Sequence, residues 1–181
     1  MQNEVVIAGF GGQGVLSAGQ ILAYAAMEEG HHVVWLPSYG PEMRGGTANC
    51  TVTISDAPIA SPIITNPGSA IVMNNPSLDR FGPAVRSGGT VIINNSLVTI
   101  PFVRDDVRIL LVPANAMAQE LGNTKAANMI ILGAYIGATH AVKLDTLKGF
   151  VSKKFASKPA FIELNLKAID AGYSKVKEQL S

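Results

Sequence analysis

The residues best suited to chemistry form a glycine-rich segment near the start of the sequence, Gly9-Phe10-Gly11-Gly12-Gln13-Gly14. Its spacing matches the G-x-G-x-x-G pattern, in which glycines allow a tight turn and let a phosphate approach the backbone. A helix that begins near Val15 would aim its free N–H groups and its positive dipole end at an anion above this turn. The candidate anion-binding residues of the segment are Gly11, Gly12, Gln13 and Gly14.

A nicotinamide dinucleotide would need a second feature, an acidic residue at the end of the following strand, to bind its ribose hydroxyls. The expected strand ends Val34-Trp35-Leu36-Pro37-Ser38 and contains no Asp or Glu, and Arg44 lies beyond two prolines. The segment also lacks the Gly-Lys-Ser/Thr end of a phosphate-binding P-loop. The sequence therefore has the glycine spacing of an NAD or NADP site but lacks its acidic residue. A stand-alone oxidoreductase that binds NAD(P) or flavin remains the alternative hypothesis.

A second loop with polar residues of interest runs from Pro37 to Gly46. Arg44 is followed by two glycines, so its planar guanidinium could reach a phosphate or a carboxylate while the glycines let a ligand come close. Glu42 could pair with Arg44 or accept a hydrogen bond from a ligand hydroxyl. The same residues also suit an ordinary surface loop with a solvated ion pair. The candidates in this loop are Arg44, Gly45 and Gly46, and those of second rank are Tyr39, Glu42 and Asn75.

The composition excludes several classes of site. Cys50 is the one cysteine, which rules out an internal disulfide and an iron–sulfur cluster held by this chain alone. The three histidines lack the spacing of metal ligands, and a net charge of +1 gives no electrostatic case for nucleic acid or an anionic membrane. No apolar run approaches the roughly 18–20 residues of a membrane span, and no signal peptide precedes Val5. We expect a cytoplasmic protein with Cys50 buried on the inward face of a strand.

The pattern of strands and helices around these loops predicts an α/β fold, with a single three-layer domain over residues 1–181. Strand, glycine turn, helix and strand follow one another from Val5 to Leu36, which indicates a βαβ unit with parallel strands. Residues 47–54 alternate small or apolar with polar side chains, so we expect at least one antiparallel strand in a mostly parallel, twisted sheet. Asn75 is expected to cap a helix. The last third is rich in helices, and the one predicted over residues 124–140 is apolar around most of its circumference and should be buried.

Three motifs, in the right order, resemble the gamma subunit, or gamma domain, of the 2-oxoacid:ferredoxin oxidoreductases. They are Gly9-Phe10-Gly11-Gly12-Gln13-Gly14-Val15, Pro37-Ser38-Tyr39-Gly40-Pro41-Glu42-Met43-Arg44-Gly45-Gly46 and Asn74-Asn75-Pro76-Ser77-Leu78-Asp79-Arg80-Phe81. Asn123, Lys125 and the pair Asn128-Met129 also resemble this family. The resemblance covers nearly the whole chain, and the long second motif is most similar to the 2-oxoglutarate or branched-chain type.

This resemblance implies a subunit of an enzyme that uses thiamine diphosphate and iron–sulfur clusters. In that family a 2-oxoacid, coenzyme A and oxidised ferredoxin give an acyl-CoA, carbon dioxide and reduced ferredoxin. It implies that partner subunits hold the thiamine diphosphate, the magnesium and the clusters, and that this chain is inactive alone and carries no catalytic residue. By the same resemblance, the residues that would contact a phosphate of coenzyme A are Arg44, Gly45 and Gly46.

Overall fold

The computed structural model describes residues 1–39 and 46–181, with Tyr39 described by its backbone alone. Within these residues the strands are β1 (Gln2–Phe10), β2 (His32–Tyr39), β3 (Thr47–Ser55), β4 (Ser69–Val72), β5 (Thr90–Ile93) and β6 (Arg108–Leu111). The α-helices are α1 (Val15–Glu28), α2 (Asn75–Phe81), α3 (Ala114–Glu120), α4 (Ala127–Thr139), α5 (Leu144–Lys154) and α6 (Pro159–Leu180). A 3-10 turn, Thr124–Ala126, leads into α4.

The strands form one mixed sheet in the order β2-β3-β1-β4-β5-β6. β1, β4, β5 and β6 are parallel, whereas β3 is antiparallel to both of its neighbours. The alternation in residues 47–54 therefore correctly predicted an antiparallel strand. β1 and β2 run in the same direction, as the βαβ pattern predicted, but β3 lies between them, with Cys50 opposite both Ile7 and Pro37.

The parallel strands are buried on both faces, which explains their unbroken apolar runs. Ile7, Ile71 and Ile92 face the core that α1, α3, α4, α5 and α6 cover. Val6 and Val91 belong to a smaller core on the opposite face, which α2 covers through Leu78. The sheet thus lies between two layers of helices, as predicted, and the chain's C-terminal helices make one layer much the thicker.

The apolar helix α4 is buried inside the domain, because it packs between the sheet and α6. Its contact with α6 is close enough to involve main chain on both sides. A Cβ atom added at Gly172 would collide with the carbonyl oxygen of Ile130, and one added at Gly133 would collide with the carbonyl oxygen of Ile169. The two glycines therefore set the distance between the helices. None of the helices among the described residues is long and apolar enough to span a membrane.

Candidate anion-binding site

The predicted glycine turn connects the end of β1 to the start of α1. Gly12 and Gly14 have φ angles of 95° and 75°, in the left-handed region that side chains other than glycine rarely adopt. A Cβ atom at Gly14 would also collide with the amide of Asn128, whose Nδ2 donates a hydrogen bond to the Gly14 carbonyl oxygen at 3.2 Å. The backbone conformation and the crowding at Gly14 both require a glycine there.

The side chain of Gln13 fixes this turn to the neighbouring strand. Its Oε1 atom accepts a hydrogen bond from the N–H group of Phe10 at 2.6 Å, and its Nε2 atom donates to the carbonyl oxygen of Met73 at 3.2 Å. Met73 directly follows β4. Gln13 thus holds the glycine turn against the end of β4 through its side chain.

A cavity of about 310 Å³, here called the anion pocket, opens beside the turn. Its described lining residues are Gly12, Gln13, Gly14, Met73, Asn115, Thr124, Lys125 and Ala127. The glycines follow β1, Met73 follows β4 and Asn115 lies in the helix after β6, so the pocket is at the carboxyl ends of the parallel strands. It also lies where the chain order reverses, between β1 and β4, which is where ligands bind in open α/β sheets.

The electrostatics of the anion pocket favour a negatively charged ligand. Among its described lining residues, Lys125 is charged and none is acidic. Lys125 also takes part in none of the ion pairs between described residues. The N-terminus of α1 has no side-chain cap and no acidic residue in its first turn, so its positive dipole end is not offset locally.

Two backbone donors of the turn remain for a ligand. The N–H group of Gly11 bonds to the carbonyl oxygen of Gly46 at 2.8 Å, and that of Gln13 bonds to Phe10 at 3.1 Å. The N–H groups of Gly12 and Gly14 make no such bond to any described residue. Of the four glycine-turn candidates, Gly12, Gln13 and Gly14 therefore line the pocket, while Gly11 lies behind them and joins the turn to the start of β3.

Lys125 and Asn115 are among the pocket residues that the sequence did not single out as ligand contacts. Lys125 follows Asn123, whose Oδ1 atom accepts a hydrogen bond from the Lys125 N–H group at 2.9 Å and caps the 3-10 turn. The Oδ1 atom of Asn115 accepts a hydrogen bond from the Nδ2 atom of Asn94 at 2.7 Å, and this bond orients the Asn115 side chain. Lys125 was recognisable as part of a family motif, whereas nothing in the local sequence marks Asn115.

Gly46, the last residue of the second predicted loop, contacts the glycine turn, because its carbonyl oxygen accepts a hydrogen bond from the Gly11 N–H group. Glu42, Arg44 and Gly45 lie outside the described residues, so their candidate roles stay predictions. Tyr39 ends β2, where its backbone is paired with Ala48 of β3.

Asn75 is not the helix cap that the sequence predicted. The N-cap of α2 is Asn74, whose Oδ1 atom accepts a hydrogen bond from the N–H group of Ser77 at 2.9 Å. Asn75 instead binds the loop after β5, because its Oδ1 atom accepts from the N–H group of Thr99 at 2.8 Å and its Nδ2 atom donates to the Thr99 hydroxyl at 3.1 Å. Its amide is used for structure and does not line the anion pocket among the described residues.

The sheet order weakens the dinucleotide interpretation for a second reason besides the missing acidic residue. In a dinucleotide-binding unit the second strand lies beside the first, so its acidic end reaches the ribose of the ligand. Here β3 separates β2 from β1, which places the end of β2 two strand spacings away, about 9–10 Å. A residue at the end of β2 is therefore too far to the side for that role.

The sequence model of the pyruvate ferredoxin/flavodoxin oxidoreductase family matches residues 4–175. The chain belongs to this family. It is 34% identical to the 2-oxoglutarate synthase subunit KorC of Methanothermobacter marburgensis, a match that covers 98% of each chain. It is also similar to the gamma subunit of a keto/oxoacid ferredoxin oxidoreductase from Geobacter sulfurreducens, with 29% identity, a TM-score of 0.82, and coverage of 96% of this chain and 98% of that one. The resemblance to the gamma subunits is confirmed, and a stand-alone NAD(P) or flavin enzyme is not favoured.

Some members of the family are longer than this chain. The ketoisovalerate oxidoreductase subunit VorA of Methanothermobacter thermautotrophicus is 40% identical over 179 residues, which are 98% of this chain. The chain spans 37% of the length of that relative. In VorA, therefore, the matching region is one part of a larger polypeptide.

The described residues do not fit an iron–sulfur cluster, although cluster-containing enzymes are typical of the resembled family. Cys50 is fully buried on β3, as predicted, and burial raises the pKa of its thiol to about 12. A thiol in that state is a poor source of the thiolate that ligates iron. In residues 1–39 and 46–181 no three His, Cys, Asp or Glu side chains come close enough together to hold a metal ion.

Proposed function

We propose that this chain is the gamma part of a thiamine-diphosphate-dependent 2-oxoacid:ferredoxin oxidoreductase, and that its anion pocket binds a phosphate group of coenzyme A. In the overall reaction a 2-oxoacid, coenzyme A and oxidised ferredoxin give an acyl-CoA, carbon dioxide and reduced ferredoxin. The chain contributes no catalytic residue. Its role is to position coenzyme A and to shape the active site beside partner subunits.

The observation that carries this proposal is the lining of the anion pocket. It combines the N–H groups of Gly12 and Gly14, the uncapped N-terminus of α1 and the ammonium group of Lys125, with no carboxylate among the described lining residues. Such a set of donors suits a phosphate, because helix N-termini and ammonium groups both favour a negative charge. Coenzyme A is the reactant of the proposed reaction that carries phosphates.

Arg44, Gly45 and Gly46 remain part of the proposed site. Support comes from Gly46, whose carbonyl oxygen bonds to Gly11 at the base of the glycine turn. Arg44 stands two positions before Gly46 in the sequence, and a guanidinium within reach of the pocket would bind a phosphate bidentately.

A charge-removing substitution tests the site. Lys125→Met keeps the length and apolar stem of the side chain and removes the ammonium group. Because Lys125 is exposed, we expect a loss of about 1–2 kcal/mol, which weakens the affinity for coenzyme A by about 5- to 30-fold. Lys154→Met is the matched control, since Lys154 is also exposed but lies on α5 and is not among the described lining residues. Equal affinities of both variants and the wild type would contradict a phosphate site at Lys125.

The cofactors of the reaction are proposed to lie on partner subunits. The single buried Cys50 supports this division, because the described residues offer no ligand set for a cluster. We expect thiamine- and cluster-binding subunits to copurify with this chain from a cytoplasmic extract of its source. Purification without any such partner, or saturable micromolar binding of NADH by the chain, would favour the stand-alone oxidoreductase instead.

A further inference from the structure

The third of the sequence motifs, residues 74–81, contributes none of the described lining residues of the anion pocket. Its last two residues, Arg80 and Phe81, line a separate cavity of about 190 Å³, here called the Arg80 cavity. Val6 of β1 and Thr51 of β3 also line it. Val6 belongs to the smaller core, so the Arg80 cavity lies on the face of the sheet that α2 covers.

The polar groups of the Arg80 cavity suit a carboxylate. Arg80 is the one charged residue among the described lining, and Thr51 and Thr65 add two hydroxyl groups that can donate hydrogen bonds. Arg80 is exposed and takes part in none of the ion pairs between described residues. Arg86 and Arg104, by contrast, are each paired with a carboxylate. A guanidinium beside two hydroxyl donors, with no acid in the described lining, favours a carboxylate from elsewhere.

The guanidinium of Arg80 is held in a defined orientation. Its central carbon lies 4.9 Å from the centroid of the Phe81 ring. Stacking on a ring occupies the flat face of a guanidinium and leaves its N–H edges available for a bidentate pair. Phe81 packs against the smaller core, so the ring beneath Arg80 is itself fixed. Less side-chain freedom is therefore lost when Arg80 forms a pair.

The surface around the Arg80 cavity is only partly covered by this chain. On this face α2 contacts β1 and β4, whereas β2 and β3 are contacted by α1 from the opposite face. Thr51 pairs with both Val6 and Leu36, so Leu36 lies in the same row as the cavity, and it is 41% exposed. Ile63, next to Ile64 of the lining, is 78% exposed. Exposed large apolar side chains beside an arginine that lacks a described acidic partner are typical of a protein interface.

We propose that this surface docks a partner subunit of the oxidoreductase complex, and that an Asp or Glu side chain of that partner enters the Arg80 cavity. The carboxylate pairs with the Arg80 guanidinium and accepts hydrogen bonds from the hydroxyls of Thr51 and Thr65. Apolar side chains that flank the acidic residue pack on Leu36 and Ile63. The inference rests on the proposed function only in that the chain is one part of a complex, and it does not involve the anion pocket.

The lengths of the relatives favour a polypeptide as the occupant. The region that matches this chain is 98% of KorC but 37% of VorA, so the same domain occurs as a short chain and as part of a longer one. A short chain must hold by non-covalent contacts the neighbours that a longer chain holds covalently. A free metabolite fits less well, because the cavity volume of about 190 Å³ is below the roughly 300 Å³ of a small-molecule pocket.

Removing the charge of Arg80 in the assembled complex tests this inference. Dilution of the purified complex, followed by native mass spectrometry, gives the dissociation constant of this chain from its partners. Arg80→Met should raise that constant by about 10- to 100-fold, as for an interface arginine that leaves a partner carboxylate unpaired. Arg80→Lys keeps the charge but loses the planar fork, so its effect should be intermediate.

Arg108→Met is the matched control for the charge. Arg108 is also exposed and in none of the described ion pairs, but it lies on β6 at the far edge of the sheet. Its substitution should leave the dissociation constant unchanged. Ile63→Ser tests the apolar contact and should weaken assembly several-fold, whereas Val103→Ser should not. Ile63 and Val103 are 78% and 82% exposed, and Val103 is not among the described lining residues.

The outcomes separate this inference from the proposed function. If Arg80→Met and Arg108→Met dissociate from the complex alike, the docking site is refuted. If Arg80→Met changes only the association of this chain with a second copy of itself, a partner subunit is refuted as the occupant. Lys125→Met should weaken coenzyme A binding without changing dissociation, and Arg80→Met should leave the coenzyme A affinity of the intact complex unchanged. Either site can therefore fail while the other stands.

Discussion

Replacing Gly172 with alanine should destabilise the protein, although the same substitution in an ordinary helix is stabilising. Gly172 lies within α6, where it faces the backbone of α4. Its added Cβ atom would collide with the carbonyl oxygen of Ile130 and lie 3.0 Å from the backbone nitrogen of Ala134. Both neighbours are main-chain atoms inside a helix, so neither can turn away as a side chain could. The two helices must separate instead.

The size of the effect follows from two opposing contributions. Alanine is favoured over glycine in a helix interior by about 0.8–1.0 kcal/mol. Forcing an extra methyl group into a close-packed core costs about 1–3 kcal/mol, and more where backbone must move. The collision at Gly172 is between backbones that pack without a side chain between them, so we expect the second contribution to dominate. The net loss should be about 1–2 kcal/mol.

Gly149 provides the matched control for this measurement. It lies within α5, and a Cβ atom added there meets no atom within 4 Å. Gly149→Ala should therefore gain the helix-propensity contribution alone and raise the melting temperature by about 2–4 °C, while Gly172→Ala lowers it by a similar or larger amount. Thermal unfolding followed by circular dichroism measures both. A Gly172→Ala protein that is as stable as Gly149→Ala would refute the close backbone contact between α4 and α6.

Two further predictions concern the glycine turn and the buried thiol. Gln13→Ala should lower the free energy of unfolding by about 1–2 kcal/mol in urea titrations, because the Phe10 N–H group and the Met73 carbonyl oxygen lose their partner. Gln13→Glu retains the acceptor for Phe10 but adds a negative charge, so it should bind coenzyme A more weakly than the wild type. Unchanged coenzyme A binding by Gln13→Glu would argue against a phosphate at the anion pocket. Burial raises the pKa of Cys50 from 9.0 to about 12, so the folded state keeps the thiol protonated at a pH where the unfolded state loses its proton. If the wild type has a higher free energy of unfolding than Cys50→Ala, this difference should be largest below pH 9 and should decline as the pH rises from 9 towards 12. A difference that grows over this range would contradict the burial of the thiol.

The order of the elements could be predicted from the sequence where local signals were strong. Pro159 at the first position of α6 marks its start, because proline is favoured there. The glycines of the first turn likewise indicate a backbone that needs positive φ angles. In both cases the residue that determines the local structure lies within the helix or turn that it determines.

Contacts between residues that are far apart in the sequence could not be predicted from it. Lys125 and Gly14 are more than a hundred positions apart, and only the packing of α4 against α1 brings them to the same pocket. The cap of α2 was predicted one residue late, because Asn74 and Asn75 are chemically identical and the Thr99 loop decides between them.

The antiparallel strand β3 determines which ligand the glycine turn suits. It separates β2 from β1, so no side chain at the end of β2 is near enough to bind a ribose. It also brings Gly46 against the turn and uses the N–H group of Gly11, which leaves the N–H groups of Gly12 and Gly14 as the free donors. Both effects favour the proposed binding of a phosphate on the side where α4 begins, and the cation there is Lys125. A turn with dinucleotide spacing can therefore serve a phosphate whose other contacts come from the C-terminal helices.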